Sequence, residues 1–144
     1  MTPVFNYEAS LRRMGHDGQL FREMIGLLQE DSPRLLHQVE RGLKDRDAEQ
    51  VRHAAHTLKG LTANFSGLRA MEAAEAMEHL ARASKWEEMD RAATELDEAV
   101  AELRTALLPL AAPSNGSTGA SSRQNAAPLN DSIGQNSGTP YAQR

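Results

Sequence analysis

Residues 47–67 read DAEQVRHAAHTLKGLTANFSG. Asp47 followed three residues later by Gln50 is a capping-box spacing, and the run behind it carries apolar residues at the helical period. At 100° per residue, Val51, Ala54, Ala55, Leu58, Leu61, Thr62 and Phe65 fall within about 60° of Leu58 and form a core face. Arg52, His53, His56, Lys59, Gly60, Ala63 and Asn64 occupy the other side, with His56 about 160° from Leu58. The helix is therefore amphipathic, and its histidine at position 56 points to solvent.

Four further helices are expected around it. A short one spans about Tyr7 to Met14, with Gly15 as C-cap glycine. A long one runs from about Gly18 to Lys44, capped by Asp17, with Leu20, Met24, Leu28, Leu35, Val39 and Leu43 as its apolar stripe. Pro33 lies inside it and predicts a kink or a local break, because proline removes a backbone donor and crowds the preceding turn. A fourth helix covers roughly Leu68 to Ala83. Ser84 and Glu87 repeat the capping-box spacing and launch a fifth from Lys85 toward Pro109. No hairpin signal interrupts the pattern. The expected fold is all-α: an antiparallel four-helix bundle, up-down-up-down, with the short first helix over one end.

Composition divides the chain into a helical body, residues 1–110, and a tail, residues 111–144. From Ala111 onward Ala, Ser, Gly, Asn, Thr, Gln and Pro dominate, and the large aliphatics are only Leu129 and Ile133. Such a segment buries too little apolar surface to offset the ~1–2 kcal/mol per residue that ordering a backbone costs, so it is expected to be disordered. The formal charge of the chain is −4, and the tail contributes only Arg123, Asp131 and Arg144 to it. The acidity therefore belongs to the body, and no basic surplus points to nucleic acid or an anionic membrane. With no cysteine there is no disulfide framework and no thiolate metal site or nucleophile. No hydrophobic run approaches the ~20 residues of a membrane span, no secretory signal opens the chain, and cytoplasmic residence is the expectation.

The outer strip of the third helix does not look like scaffolding. Gly60 costs ~1 kcal/mol relative to Ala inside a helix, which makes sense if a partner must approach the imidazole closely across the bare ledge of Gly60 and Ala63. Lys59 adds a flexible cation beside His56. An exposed imidazole with a cation at its side suits a nucleophile that takes up a phosphoryl group. Arg46, Arg52, Lys59 and Arg69 suggest a small positive field around the helix, against acidic later helices that include Glu72, Glu75 and Glu78. His53 shares the outer face three residues before His56, but two imidazoles without a third donor are a poor ligand set and no metal site is expected. An internal metal would need glutamates facing the core, and none is expected there. Asp17, Asp47 and Ser84 are taken as caps.

The run AHTLKGLTANFSG, Ala55 to Gly67, resembles the His-x-x-Lys-Gly signature of histidine-containing phosphotransfer (HPt) domains of bacterial phosphorelays, and Leu11 to Leu36 resembles the segment that precedes it in that family. The resemblance implies an antiparallel four-helix bundle whose exposed histidine accepts phosphate from an aspartyl phosphate on a receiver domain and passes it to another. It implies His56 as phosphoacceptor, Lys59 as the residue that steadies the phosphoryl group, Gly60 as the residue that gives access and Asn64 as a polar neighbour. Arg52, His53, Ala63, Asn64 and Gly67 are the expected docking positions. Ser66 departs from the family pattern, standing where glycine is frequent, and Leu61 and Thr62 replace more usual residues. The expected product is a phosphocarrier and not an ATP-dependent kinase, a monomer with no cofactor of its own, attacking through Nε2 while the receiver brings Mg²⁺. The competing expectation is a helical interaction module that binds a receiver or another signalling domain without accepting phosphate.

Overall fold

The computed structural model describes residues 3–111. The tail expected to be disordered lies, beyond Ala111, outside the described residues. Five α-helices follow one another: α1 (Tyr7–Arg13), α2 (Gly18–Asp45), α3 (Ala48–Ala63), α4 (Leu68–Arg82) and α5 (Trp86–Leu107), with a 3-10 turn at Leu108–Leu110. No strand occurs among the described residues. Helix α2 packs on α3, α3 on α4, α4 on α5, and α5 returns to α2, which closes a four-helix bundle with α1 against α2.

Local chemistry sets the boundaries. The Asp17 side chain accepts from the amides of Gln19 and Leu20, and the Asp47 side chain from that of Gln50, so two of the expected caps are in place. Ser84 is not a cap of α5. It stands in the left-handed region at φ 53° and closes α4, while Lys85 precedes α5 without a side-chain cap.

Helices α1 to α4 all end this way. Gly15, Arg46, Ser66 and Ser84 take positive φ, and the next amide donates back across the last turn, His16 to Leu11, Asp47 to Gly42, Gly67 to Thr62 and Lys85 to Leu80. Ser66 thus occupies a position whose backbone favours glycine, a physical account of the departure noted in the sequence.

The core is aliphatic. Val51, Ala54, Ala55, Leu58 and Phe65 of the third segment are fully buried together with Ile25, Leu28, Met77, Met89, Leu96 and Leu103. Phe65 meets Phe21 edge-on at 5.8 Å, and burying such a ring contributes ~1.5–3 kcal/mol. In the first half of α2 the buried stripe is Phe21, Ile25 and Leu28, so the expected Leu20 position is displaced by one residue. Leu20 is 37% exposed. Gly42 lets α2 and α3 approach: a Cβ there would stand 2.6 Å from Val51 Cγ2.

Pro33 does not break α2, which is helical throughout. Proline leaves the carbonyl four residues earlier without its amide donor, and that carbonyl belongs to Gln29. Arg104 of α5 supplies the missing donor, its Nη2 lying 3.1 Å from Gln29 O, while Gln29 Nε2 donates to Arg104 O at 2.9 Å. Replacing Arg104 with Met is expected to cost about 1–2 kcal/mol, because the carbonyl is again left without a partner. In a Pro33→Ala background, where an amide returns, the same replacement should cost roughly 1 kcal/mol less, a coupling that denaturant titrations of the double-mutant cycle read directly. Equal costs in both backgrounds would mean that Arg104 does not complete the proline-interrupted ladder.

Candidate functional site

Helix α3 turns its buried face of Val51, Ala54, Ala55, Leu58 and Thr62 into the bundle, which leaves His56 on the outside. The imidazole is 60% exposed. Gly60, one turn on, is also exposed, and a Cβ built there would meet nothing within 4 Å. Packing inside the molecule therefore does not require this glycine, in contrast to Gly42.

The ring is not free on both sides. Nδ1 of His56 lies 2.9 Å from Oε2 of Glu78, a residue of α4 only 1% exposed. The same Oε2 accepts from Arg82 Nη2 at 3.1 Å, one turn along α4, and Lys59 Nζ stands 3.0 Å from Oε1. The lysine contact is ionic and falls outside hydrogen-bonding geometry, which leaves Oε1 held by charge alone. A lone buried carboxylate costs several kcal/mol, so three basic groups around Glu78 are what make its burial tolerable. Burial pushes the Glu78 carboxyl up, but the Lys59 and His56 groups beside it outweigh this and hold it below its ordinary value.

An ionised carboxylate can only accept, so Nδ1 must carry the hydrogen in this contact. In the neutral ring Nε2 then keeps its lone pair. No protein group among the described residues hydrogen-bonds to Nε2. A buried acceptor behind an imidazole fixes both its tautomer and its ring orientation.

Glu78 corrects two expectations. Its charge does not add to the exposed acidity of the later helices, because basic groups surround it, and it is a glutamate buried at the margin of a core stripe. In sequence it falls in the four-residue row Ala70, Ala74, Glu78, Arg82, whose first two members are buried. An acid continuing an apolar row, with a cation one turn on, was the available signal for both Glu78 and Arg82. Only the packing of α4 on α3 shows which imidazole they serve.

The expected positive field is also corrected. Arg52 pairs with Glu49, and Arg46 pairs with Asp90 and lies 5.1 Å above the Trp86 ring. Arg69 is tied to Glu95, Glu98 and Glu102 of α5, and the Glu95 and Glu102 carboxylates raise its pKa further. Each cation meets a carboxylate that the linear sequence places far away or on the next turn, so little unpaired charge remains around α3.

Among the expected docking positions, His53 is exposed and Arg52, Ala63 and Asn64 are half-buried. The carbonyls of Ala63 and Asn64 accept from Arg13, which pins α1 to the end of α3. Gly67 does not present a surface. It is buried, and a Cβ there would stand 2.9 Å from Leu103 Cδ2, so its smallness serves the packing on α5. A surface the sequence did not single out lies on α2: Met24, Leu20 and Leu27 project within about 60° of the direction of Gly42, the residue that touches α3. Leu27 is 45% exposed and Leu20 37%, so α2, the helix packed on α3, carries exposed apolar residues. Among the described residues no group of three or more histidines and carboxylates is placed to hold a metal, and no helix is long and apolar enough to cross a membrane.

Residues 23–106, more than half of the chain, match the model of the Hpt domain family. No curated protein and no solved structure gives a match.

Proposed function

The chain belongs to the Hpt domain family, and on that premise we propose that His56 is its phosphoacceptor, taking a phosphoryl group from the aspartyl phosphate of one receiver domain and relaying it to another. Hpt domains are phosphocarriers of two-component signalling that interact with receiver domains, and they act as carriers rather than as enzymes. The observation that carries the assignment to His56 is its contact with Glu78: the buried carboxylate takes Nδ1 at 2.9 Å and leaves Nε2 as the nucleophile of a largely exposed ring.

In the forward step the Nε2 lone pair forms the bond to phosphorus as the bond to the aspartyl oxygen breaks, in line, with charge spread over the equatorial oxygens. Lys59 and Arg82 stand on either side of the Glu78 carboxylate and turn their side chains toward those oxygens as they arrive. The Mg²⁺ that would neutralise the acyl phosphate would be supplied by the receiver. Gly60 gives the two backbones room, and the exposed Leu20 and Leu27 of α2 offer apolar surface for a receiver on the neighbouring helix. Arg52 and His53 lie on the same outer face as rim contacts.

The test is transfer from a phosphorylated receiver to the purified protein, followed as acid-labile label. Label should appear on the wild type. Lys59→Ala should retain the fold and slow transfer by about 10- to 100-fold, the scale of losing one electrostatic contact to the transferred group. Receiver binding without label would favour the non-phosphorylated interaction module, and an unchanged rate in Lys59→Ala would remove that residue from the chemistry.

A further inference from the structure

The contact between His56 and Glu78 has a different consequence once the phosphoryl group is in place. We propose that Glu78 keeps the Nδ1 proton on the ring after transfer, so that phospho-His56 is held as an N-phosphoimidazolium, the form of the intermediate whose leaving group is neutral imidazole. The inference rests on His56 being the acceptor and specifies the state in which the acceptor is stored.

The bookkeeping of the step requires no proton to move. Neutral His56, with hydrogen on Nδ1, donates the Nε2 lone pair to phosphorus; the P–O bond breaks and its electron pair leaves with the aspartyl carboxylate. The ring then bears phosphorus on Nε2, hydrogen on Nδ1 and one positive charge. In the onward step an acceptor carboxylate oxygen attacks phosphorus and the P–N electron pair returns to Nε2. If Nδ1 still carries its hydrogen, the leaving group is neutral imidazole. If it has been lost, the leaving group is an imidazolate anion, far more basic and far slower to depart.

In water an imidazolium sheds its proton near neutral pH, so a solvent-exposed phosphohistidine would be only partly transfer-competent there. Here the acceptor of that hydrogen bond is a carboxylate 1% exposed, 2.9 Å from Nδ1. The new positive charge therefore forms against a negative oxygen shielded from water, where the attraction is larger than at a surface. The other charged groups facing this carboxylate are Lys59 on α3 and Arg82 on α4, with Arg52 on α3 farther out. No charged side chain of the described α2 residues forms an ion pair with His56 or Glu78. When Lys59 and Arg82 turn to the phosphoryl oxygens, Glu78 is left with the ring as its nearest cation, which strengthens the grip on the proton.

The experiment uses the full chain labelled with ¹⁵N at histidine and phosphorylated with phosphoramidate, a small donor that needs no receiver. At about pH 8 the Nδ1 resonance of phospho-His56 should be of the protonated, pyrrole type, and onward transfer to a receiver should change less than about twofold between roughly pH 6.5 and 8.5. In Glu78→Gln, of nearly the same shape, the resonance should become pyridine-like at pH 8 and transfer should fall about tenfold per unit above neutral. A pyridine-like Nδ1 in the phosphorylated wild type, or parallel pH profiles in the two proteins, would overturn the retained proton while leaving His56 as acceptor. Failure to form phosphohistidine at position 56 at all would overturn this inference and the proposed function together. The wild-type resonance decides the matter even if the variant does not fold.

Discussion

His56→Gln is expected to reduce phosphotransfer from a receiver by at least about 10³-fold, because the glutamine amide has no nucleophilic lone pair to replace Nε2. The fold should survive. His56 is 60% exposed and contributes nothing to the core, and a glutamine NH₂ can donate to Glu78 in place of Nδ1. Stability by denaturant titration should therefore stay within about 1 kcal/mol of the wild type. The combination is what matters: a folded protein that takes no label. Label at the wild-type rate on the variant would place the acceptor elsewhere, with His53 the first residue to examine, since it lies exposed on the same helix.

Substitution at Gly60 should separate stability from function with opposite signs. Inside α3 a glycine costs about 0.5–1 kcal/mol relative to alanine, and no atom lies within 4 Å of the Cβ that a substitution would add. Gly60→Ala and Gly60→Leu are both expected to stabilise the bundle by about that amount. The leucine side chain, however, stands on the ledge one turn from the imidazole, where the proposed docking brings a receiver's backbone close. A displacement of about 1 Å at the reacting atoms is enough to cost ~10²-fold, so Gly60→Leu should transfer at least about 100-fold more slowly while melting higher. A stabilised Gly60→Leu protein with an unimpaired rate would show that the open space beside His56 is not used for docking.

The helices and the outward histidine were legible because they rest on periodicity alone. The wheel through Leu58 sorts α3 into two faces without knowledge of any neighbour, and the structure buries Val51, Ala54, Ala55, Leu58, Thr62 and Phe65 on the face so assigned. The first half of α2 is less regular, since leucines or methionine occupy several directions at once. There the aromatic Phe21 and the β-branched Ile25 enter the core while Leu20 and Leu27 are left on the surface. Ser84 misled because a serine three residues before a glutamate fits a cap, whereas its backbone is committed to the left-handed closure of the preceding helix. Glu78 was hidden for a different reason. A glutamate in an acidic helix has the pattern of a solvated residue, and its burial depends on three basic groups, of which only Arg82 shares its helix. The outward histidine can be found from one helix, but the carboxylate that contacts it comes from the packing of two.

The proposed chemistry places one bond, between phosphorus and Nε2 of His56. Its direct test is to phosphorylate the wild-type protein with a phosphorylated receiver and map the modified residue and ring nitrogen under alkaline conditions that preserve phosphohistidine. The account predicts a single phosphorylated position, His56, linked through Nε2. Phosphate on His53, on any other side chain, or on Nδ1 of His56 would contradict it.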